Sequence, residues 1–525
     1  MWMVDKPRPA WQARPMIISL PPTDADRRLE RRVLLTVLAL LLLRALTARL
    51  ADLSSDEAYY WHWIHPLQLS YFDHPAMVAA WIWAGVKLAG ETGFGVRLPA
   101  LLGGLVTTVL VWDSARLVFR SRRVAAWAAL WLNASVLFNT AGVVVTPDTP
   151  LLVFWALALW AALKVISEGD ARFVPLAGLA LGLGAISKYT IALILPGLIL
   201  TFLLFPPLRP WWRRRETLGA VLLAAACTLP LWIWNAENGF ASFHKQLDHA
   251  FETAPPARHA LSNLGAFLGG QIGLVTPLLF GFCLWGMGWA LWRGWRDRRP
   301  DWFLLGATSL PIVLFFAQHS LGGLVQAHWD GPAYLGGVIA TAGAGAGLRR
   351  PLWRRLFLAA PLLGLALSLV VLFQAATALL PLPIKLDPLK RLGGWAELAQ
   401  AVETQRLLHP GAFLLTPKHE PTGPLSFHLP GHPPVFLEGH IRPSYYSAAQ
   451  VAALKGQDAI IITQVKDDGV MHDMPPFFAA ITPLGQVDLH WGGRVADRYA
   501  LYLGHQYRGG LLTMGNGWNG RNDAP

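Results

Sequence analysis

The chain has 525 residues, 54% of them hydrophobic and only 14% charged, with a mean hydropathy of +0.39. That composition excludes an ordinary soluble protein of this length and makes a polytopic membrane protein the reading to test. The net charge of +12 does not point to nucleic acid, because the arginines cluster in short loops between apolar runs. There they orient spans and meet anionic lipid heads.

Residues 1–32 are polar and proline-rich and read as a cytoplasmic tail. The apolar run from Val33 to Leu50 is long enough to cross a bilayer and reads as an uncleaved anchor. An outward loop follows at about 52–97. It opens on a short aromatic helix from Asp56 to Ile64, and the spacing Ser54-x-x-Glu57 matches a capping box. Ala76 to Ala89 is apolar, bounded by Pro75 and Gly90, and lacks a basic inward flank, so it reads as a helix lying in the interface.

Further apolar segments occur at about 98–116, 124–142, 149–166, 173–187, 190–206, 217–235, 263–292, 302–318, 332–348 and 356–380. Basic clusters, such as Arg116/Arg120/Arg122/Arg123 and Arg209/Arg213/Arg214/Arg215, follow every second segment. Placing all of them inside requires about eleven crossings, an inside N-terminus and an outside C-terminus. Residues 33–380 are thus expected to form a mostly α bundle. From Pro381 charge and proline rise, and residues 381–525 read as a small α/β domain outside the membrane. Its expected strands are 412–416 and 459–463, and its expected helices 395–408 and 448–454. Cys227 and Cys283 fall in apolar runs and form no disulfide or metal motif.

The ionisable residues on the outward side carry the chemistry. Asp56 and Glu57 sit at the lip of the first span, where a carboxylate can take a proton from an attacking hydroxyl or amine. The alternative for Glu57 is that it only closes the cap. Asp73-His74 precedes Pro75 and is either a helix N-terminal aspartate or a metal or proton-relay pair. Arg97 starts the second span on the side the positive-inside bias disfavours, so it needs a phosphate or a loop acid as partner. Lys188 and Tyr189 end the fifth segment, where Lys188 either snorkels or meets Asp148 of the Thr146-Pro-Asp148 turn. The loop at 236–262 carries His244, Lys245 and His249; most of its charges read as solvated, with His249 the one taken to reach the acid site. No P-loop, dinucleotide fingerprint or zinc-finger spacing is present.

The strings Ser-Asp56-Glu57-Ala-Tyr-Tyr60, Tyr-Phe-Asp73-His74-Pro, Gly-Val-Arg97-Leu-Pro, Thr-Pro-Asp148, Ser-Lys188-Tyr189 and Trp-Asn235 together resemble GT-C glycosyltransferases. More narrowly, they resemble the bacterial branch of the superfamily of protein O-mannosyltransferases and the lipid A aminoarabinose transferase. The resemblance implies inverting transfer of a sugar from a polyprenyl-phosphate carrier to a lipid, glycan or protein acceptor at the periplasmic face of the bacterial inner membrane. It implies Asp56 as the base or acceptor-orienting acid and Glu57 as its companion. Arg97, Lys188, Tyr189 and His74 would hold the donor phosphate; Tyr60, Asp73, Asp148 and His249 would contact substrate. His74 stands where the aminoarabinose branch has a lysine. A divalent metal is left open, with Asp73 and His249 as candidate ligands, and membrane lipids rather than nucleic acid are the expected surroundings. The rival from another class is a transporter or lipid-linked-sugar flippase using the loop acids as an ion site; a third reading is a non-catalytic polysaccharide-assembly subunit. The gathering of charge at one face, without a visible repeat, weighs against the transporter.

Overall fold

The computed structural model describes residues 23–251, 259–437, 439–440, 446, 448–467 and 469–513. It is mostly helical with a small sheet, and it divides into two compact units. The first comprises Met1–Leu46, Asp73–Val78 and Leu98–Leu372, and the second Thr47–Phe72, Ala79–Arg97 and Phe373–Pro525. Residues after 381 therefore do not pack alone: their compact unit also takes in most of the first outward loop.

Six described helices are long and apolar enough to cross a membrane: Asp24–Leu50, Gly93–Phe119, Asp148–Glu168, Arg215–Glu237, Pro300–His319 and Pro351–Thr377. Two bent pairs raise the number to eight. The expected segment 263–292 is one of them, split into Ala260–Val275 and Pro277–Arg296 by a 102° bend. Thr276 there has φ 75° and Pro277 follows. Proline removes an N–H from the helical ladder and pushes the residue before it out of the α region, so the run cannot continue straight. The expected segment 124–142 is likewise interrupted, at Ser135 between helices Arg122–Ala134 and Val136–Ala141. Apolar length was legible, but interruptions inside it were not.

The first unit buries one large apolar cluster that includes Trp131, Trp155, Phe267, Phe282 and Tyr334. Leu34, Leu38 and Leu42 of the first helix are exposed, as expected of a surface that meets lipid rather than water. On the same helix Arg44 is buried, its Nε donating to Asn139 Oδ1 at 3.0 Å and Nη2 to Asn133 Oδ1 at 3.0 Å. An ionisable side chain at that depth persists only when such groups satisfy it.

In the second unit the strands are β1 (Phe413–Thr416), β2 (Val435–Leu437), β3 (Gly439–His440), β4 (Ala459–Gln464), β5 (Ala480–Trp491), β6 (Arg494–His505) and β7 (Leu512–Thr513). Five form a mixed sheet of order β2-β1-β4-β6-β5, while β3 and β7 pair separately. β1 runs parallel to β2 and β4, and β4 runs antiparallel to β6. The expected strands at 412–416 and 459–463 are β1 and β4, whose residues are buried throughout. The expected helices appear at Trp395–Leu408 and Ala448–Ala452. The β5–β6 hairpin was not foreseen, because Pro483 and Gly485 interrupt its first strand with an irregular register.

Candidate active site

The second unit holds Asp56 and Glu57. Ser54 caps the helix Ser55–His62: its Oγ accepts from the Glu57 amide at 3.3 Å while its own amide donates to Glu57 Oε2 at 3.0 Å. The capping box read from the sequence is present in full. Asp56, beside it in the first turn, has an exposed side chain.

Glu57 and Arg97 are both fully buried. Arg97 Nε donates to Glu57 Oε1 and Nη2 to Glu57 Oε2, each at 2.7 Å. The remaining donors go to backbone carbonyls of Ala48 at 3.4 Å, Ala51 at 2.8 Å and Asp52 at 2.7 Å. A guanidinium has five N–H groups, and all are used. The expected phosphate contact by Arg97 and proton transfer by Glu57 are therefore replaced by a clamp: together they tie the end of the first span, the loop and the acid-bearing helix. Tyr60, expected at substrate, is buried against Tyr59 and Trp63, with ring centroids 5.4 and 5.0 Å away.

The first unit gathers the other candidates. Lys188 Nζ donates to both Asp148 carboxylate oxygens at 2.9 and 2.8 Å, and His328 Nε2 lies 3.5 Å from Asp148 Oδ2. Lys188 also lies over the Trp329 ring at 5.6 Å. Asp73 pairs with Lys245, and the Asp73 carbonyl accepts from Gln246 Nε2 at 3.0 Å. His74 lies in the field of all four charges: burial, then Lys188, push its imidazole down to about 4 against the pull of Asp73 and Asp148. It is therefore a neutral imidazole at pH 7.

Local chain geometry explains this convergence. Asp148 starts a helix, where its charge complements the dipole. Lys188 is extended between the helix Phe173–Ala185 and the 3₁₀ turn Tyr189–Ile194. The Met77 amide donates to Ile186 O at 3.0 Å, holding the Asp73–Val78 segment against that turn. Tyr189 meets Ser242 hydroxyl to hydroxyl at 2.6 Å, anchoring the start of the helix Ala241–Phe251 that bears Lys245.

The sequence offered Asp148 as one of two fates for Lys188, and the fold shows that pair; Lys245 was read as solvated, and His328 and Trp329 lie in the outward turn Gln326 to Asp330, from which no site residue was taken. The side chain of His249 lies outside the described residues. Among the described residues no group of three His, Cys, Asp or Glu is arranged to hold a metal ion. With a lysine ammonium on its carboxylate, Asp73 does not fit a divalent cation.

Residues 73–234 match the family described as dolichyl-phosphate-mannose-protein mannosyltransferase. That stretch contains Asp73, His74, Asp148 and Lys188. Over 90% of its length the chain superposes on ArnT from Cupriavidus metallidurans, covering 97% of that protein with a TM-score of 0.63 and 16% identity. The chain has the fold of that ArnT. The same ArnT bound to undecaprenyl phosphate gives a TM-score of 0.62. Among curated relatives, lipid A galacturonosyltransferase RgtD of Rhizobium johnstonii is 29% identical over 298 residues, 55% of this chain and 59% of that one. The undecaprenyl phosphate-α-4-amino-4-deoxy-L-arabinose arabinosyl transferase of Pseudomonas aeruginosa is 30% identical over 289 residues, 51% of this chain and 50% of that one. The chain thus spans half to three-fifths of the length of these curated relatives.

Proposed function

We propose that the chain is an inverting glycosyltransferase that moves a sugar from a polyprenyl-phosphate carrier to an envelope acceptor, with lipid A the favoured acceptor class. In this reading the protein crosses the bacterial inner membrane about eleven times and its residues after 381 are periplasmic. The observation that carries the proposal is the cluster of Lys188, Lys245, His74, Asp73, Asp148 and His328, which unites five distant stretches of chain. Paired ammonium groups beside a neutral imidazole suit a phosphate whose charge grows as it departs. The similarity to enzymes whose names specify undecaprenyl-phosphate sugars and lipid A supports the same reading.

The step balances without a cofactor. The acceptor oxygen or nitrogen forms a bond to the anomeric carbon, its proton passes to a carboxylate base, the role the sequence resemblance gives to Asp56, and the carbon–oxygen bond to phosphate breaks with the electron pair leaving on the carrier. Lys188 and Lys245 receive that charge, Asp148 and Asp73 hold the two ammonium groups in place, and neutral His74 contributes an N–H. Asp56 is suited to the proton because its side chain is exposed while its neighbour Glu57 is consumed by Arg97.

The test is to incubate purified protein with a polyprenyl-phosphate-linked sugar and lipid A, and to quantify free polyprenyl phosphate and glycosylated lipid together. Equal amounts of both are expected. Movement of intact sugar lipid between leaflets without cleavage would reject transfer in favour of a flippase.

A further inference from the structure

In the first unit the run Tyr189–Leu204 leads away from Lys188 and ends at Pro206 and Pro207. There the chain turns through 111° into a 3₁₀ helix, Pro206–Arg213. Such a helix repeats every three residues, so positions three apart share a face. Leu208 and Trp211 are the buried pair, part of the large apolar cluster of this unit. Arg209 and Trp212 form an exposed stripe, with Arg213 exposed beside them. The helix thus lies across the end of its span with cations and an indole turned away from the protein.

A second basic end adjoins it. Phe205 meets Trp295 at 6.2 Å between centroids and Phe303 at 5.4 Å, and Trp295 meets Phe303 at 6.3 Å. Trp295 stands in the last turn of the helix Pro277–Arg296, where Trp292 and Trp295 are 57% and 46% exposed. Guanidinium groups cover these rings: Arg296 lies 5.2 Å from the Trp292 centroid and Arg298 4.8 Å from that of Trp295. Arg214 lies over Trp211 in the same way, at 4.1 Å. Other arginines carry acids of their own, Arg122 on Glu30 at 3.3 Å and Arg123 on Asp26 at 4.0 Å. Asp297 and Asp301 are held by Arg293 and Arg299. Among the described residues, Arg209, Arg213, Arg214, Arg215, Arg296 and Arg298 then have no carboxylate partner.

We propose that these two adjoining ends form a surface site for an anionic phospholipid, with guanidinium groups of both on its phosphodiester and its glycerol and upper acyl chains against the exposed indoles. Cations gathered without acids repel one another until an anion from outside neutralises them. A guanidinium pairs with phosphate oxygens bidentately. Indoles settle at the depth of lipid head groups, which gives the anion an apolar body. Free phosphate would meet the same arginines but gain nothing from Trp212, Trp292 and Trp295. The site needs no enclosed cavity, since its groups already lie at the surface. It also stands whether or not the protein transfers a sugar.

The test is native mass spectrometry of the full-length protein in neutral detergent, titrated with phosphatidylglycerol and, separately, with phosphatidylcholine. Phosphatidylglycerol is expected to bind much the tighter, and less tightly as salt rises. Arg213→Gln/Arg298→Gln takes one cation from each end and should weaken it about 25-fold, roughly fivefold per arginine. Arg213→Lys/Arg298→Lys keeps the charge and should recover most of that loss. Arg122→Gln/Arg123→Gln removes cations that have their own acids and should bind as wild type. Equal binding of the two lipids would overturn the proposal, as would full affinity in Arg213→Gln/Arg298→Gln or an equal loss in Arg122→Gln/Arg123→Gln. Displacement of the lipid by millimolar inorganic phosphate would overturn it too, leaving a plain anion site.

Discussion

Arg97 and Glu57 face each other in full burial, joined by two 2.7 Å hydrogen bonds, with every other N–H of the guanidinium on a backbone carbonyl. Removing one partner of such a pair strands the other charge, at about 3–5 kcal/mol. Arg97→Met is therefore expected to lower the melting temperature steeply, and Arg97→Met/Glu57→Leu to recover much of the loss. Normal stability in the single variant together with a raised KM for the donor would restore Arg97 to the phosphate.

Asp56 should behave in the opposite way. Its carboxylate is exposed and the cap depends on Ser54 and Glu57, so Asp56→Asn should fold and insert normally. Loss of a positioned base typically lowers turnover about 10²–10⁴-fold. Thermal melting and product formation measured on the same sample check this; turnover equal to wild type would remove Asp56 from the mechanism.

The two lysines of the first unit should separate by burial. Lys188 is buried on Asp148, its side chain 11% exposed, whereas that of Lys245 is 23% exposed. Lys188→Met should cost both stability and transfer, and Lys188→Met/Asp148→Leu should regain stability but not transfer. Lys245→Gln should unfold near the wild-type temperature yet lose about 10²-fold or more in kcat, as expected for a group that meets developing charge. Melting curves and steady-state kinetics on the three variants decide it.

The pH dependence of stability should contain two opposed contributions. His74, pushed down to about 4 chiefly by burial, binds its proton more readily when unfolded, so its contribution is present above pH 6.5 and lost as pH falls toward 4. Asp330 is pushed up to about 7 by burial, against the hydrogen bond from Gln271. Its native carboxyl keeps a proton the unfolded chain has released, so its contribution is lost as pH rises from 3.8 to about 7. The two slopes oppose each other between pH 4 and 6.5. Asp330→Asn should expose a melting temperature that rises across that window, and His74→Gln one that falls across it. Identical pH profiles for the two variants would refute both assignments.

Several of the candidate residues were legible because they announce themselves locally. The Ser54-x-x-Glu57 cap needs only neighbouring residues, and Asp148 and Lys188 stood out as charges at the ends of apolar runs. Lys245 and His328 were not legible, since an amphipathic helix and a short turn look the same whether they face water or a buried carboxylate. The five-stranded sheet was half visible: β1 and β4 are uniformly apolar, whereas Pro483 and Gly485 disguise β5.

Composition and apolar length determined by themselves that this chain is a polytopic membrane protein, and the placement of charge singled out the ionisable residues at the ends of its apolar runs. These follow from transfer free energy, which is a property of each segment alone. Which charges neutralise one another was decided only in three dimensions. Arg97 could have met a phosphate or an acid, and the folded chain gave it Glu57. Charge pairing depends on distance and on exclusion of water, and neither exists until remote segments have packed.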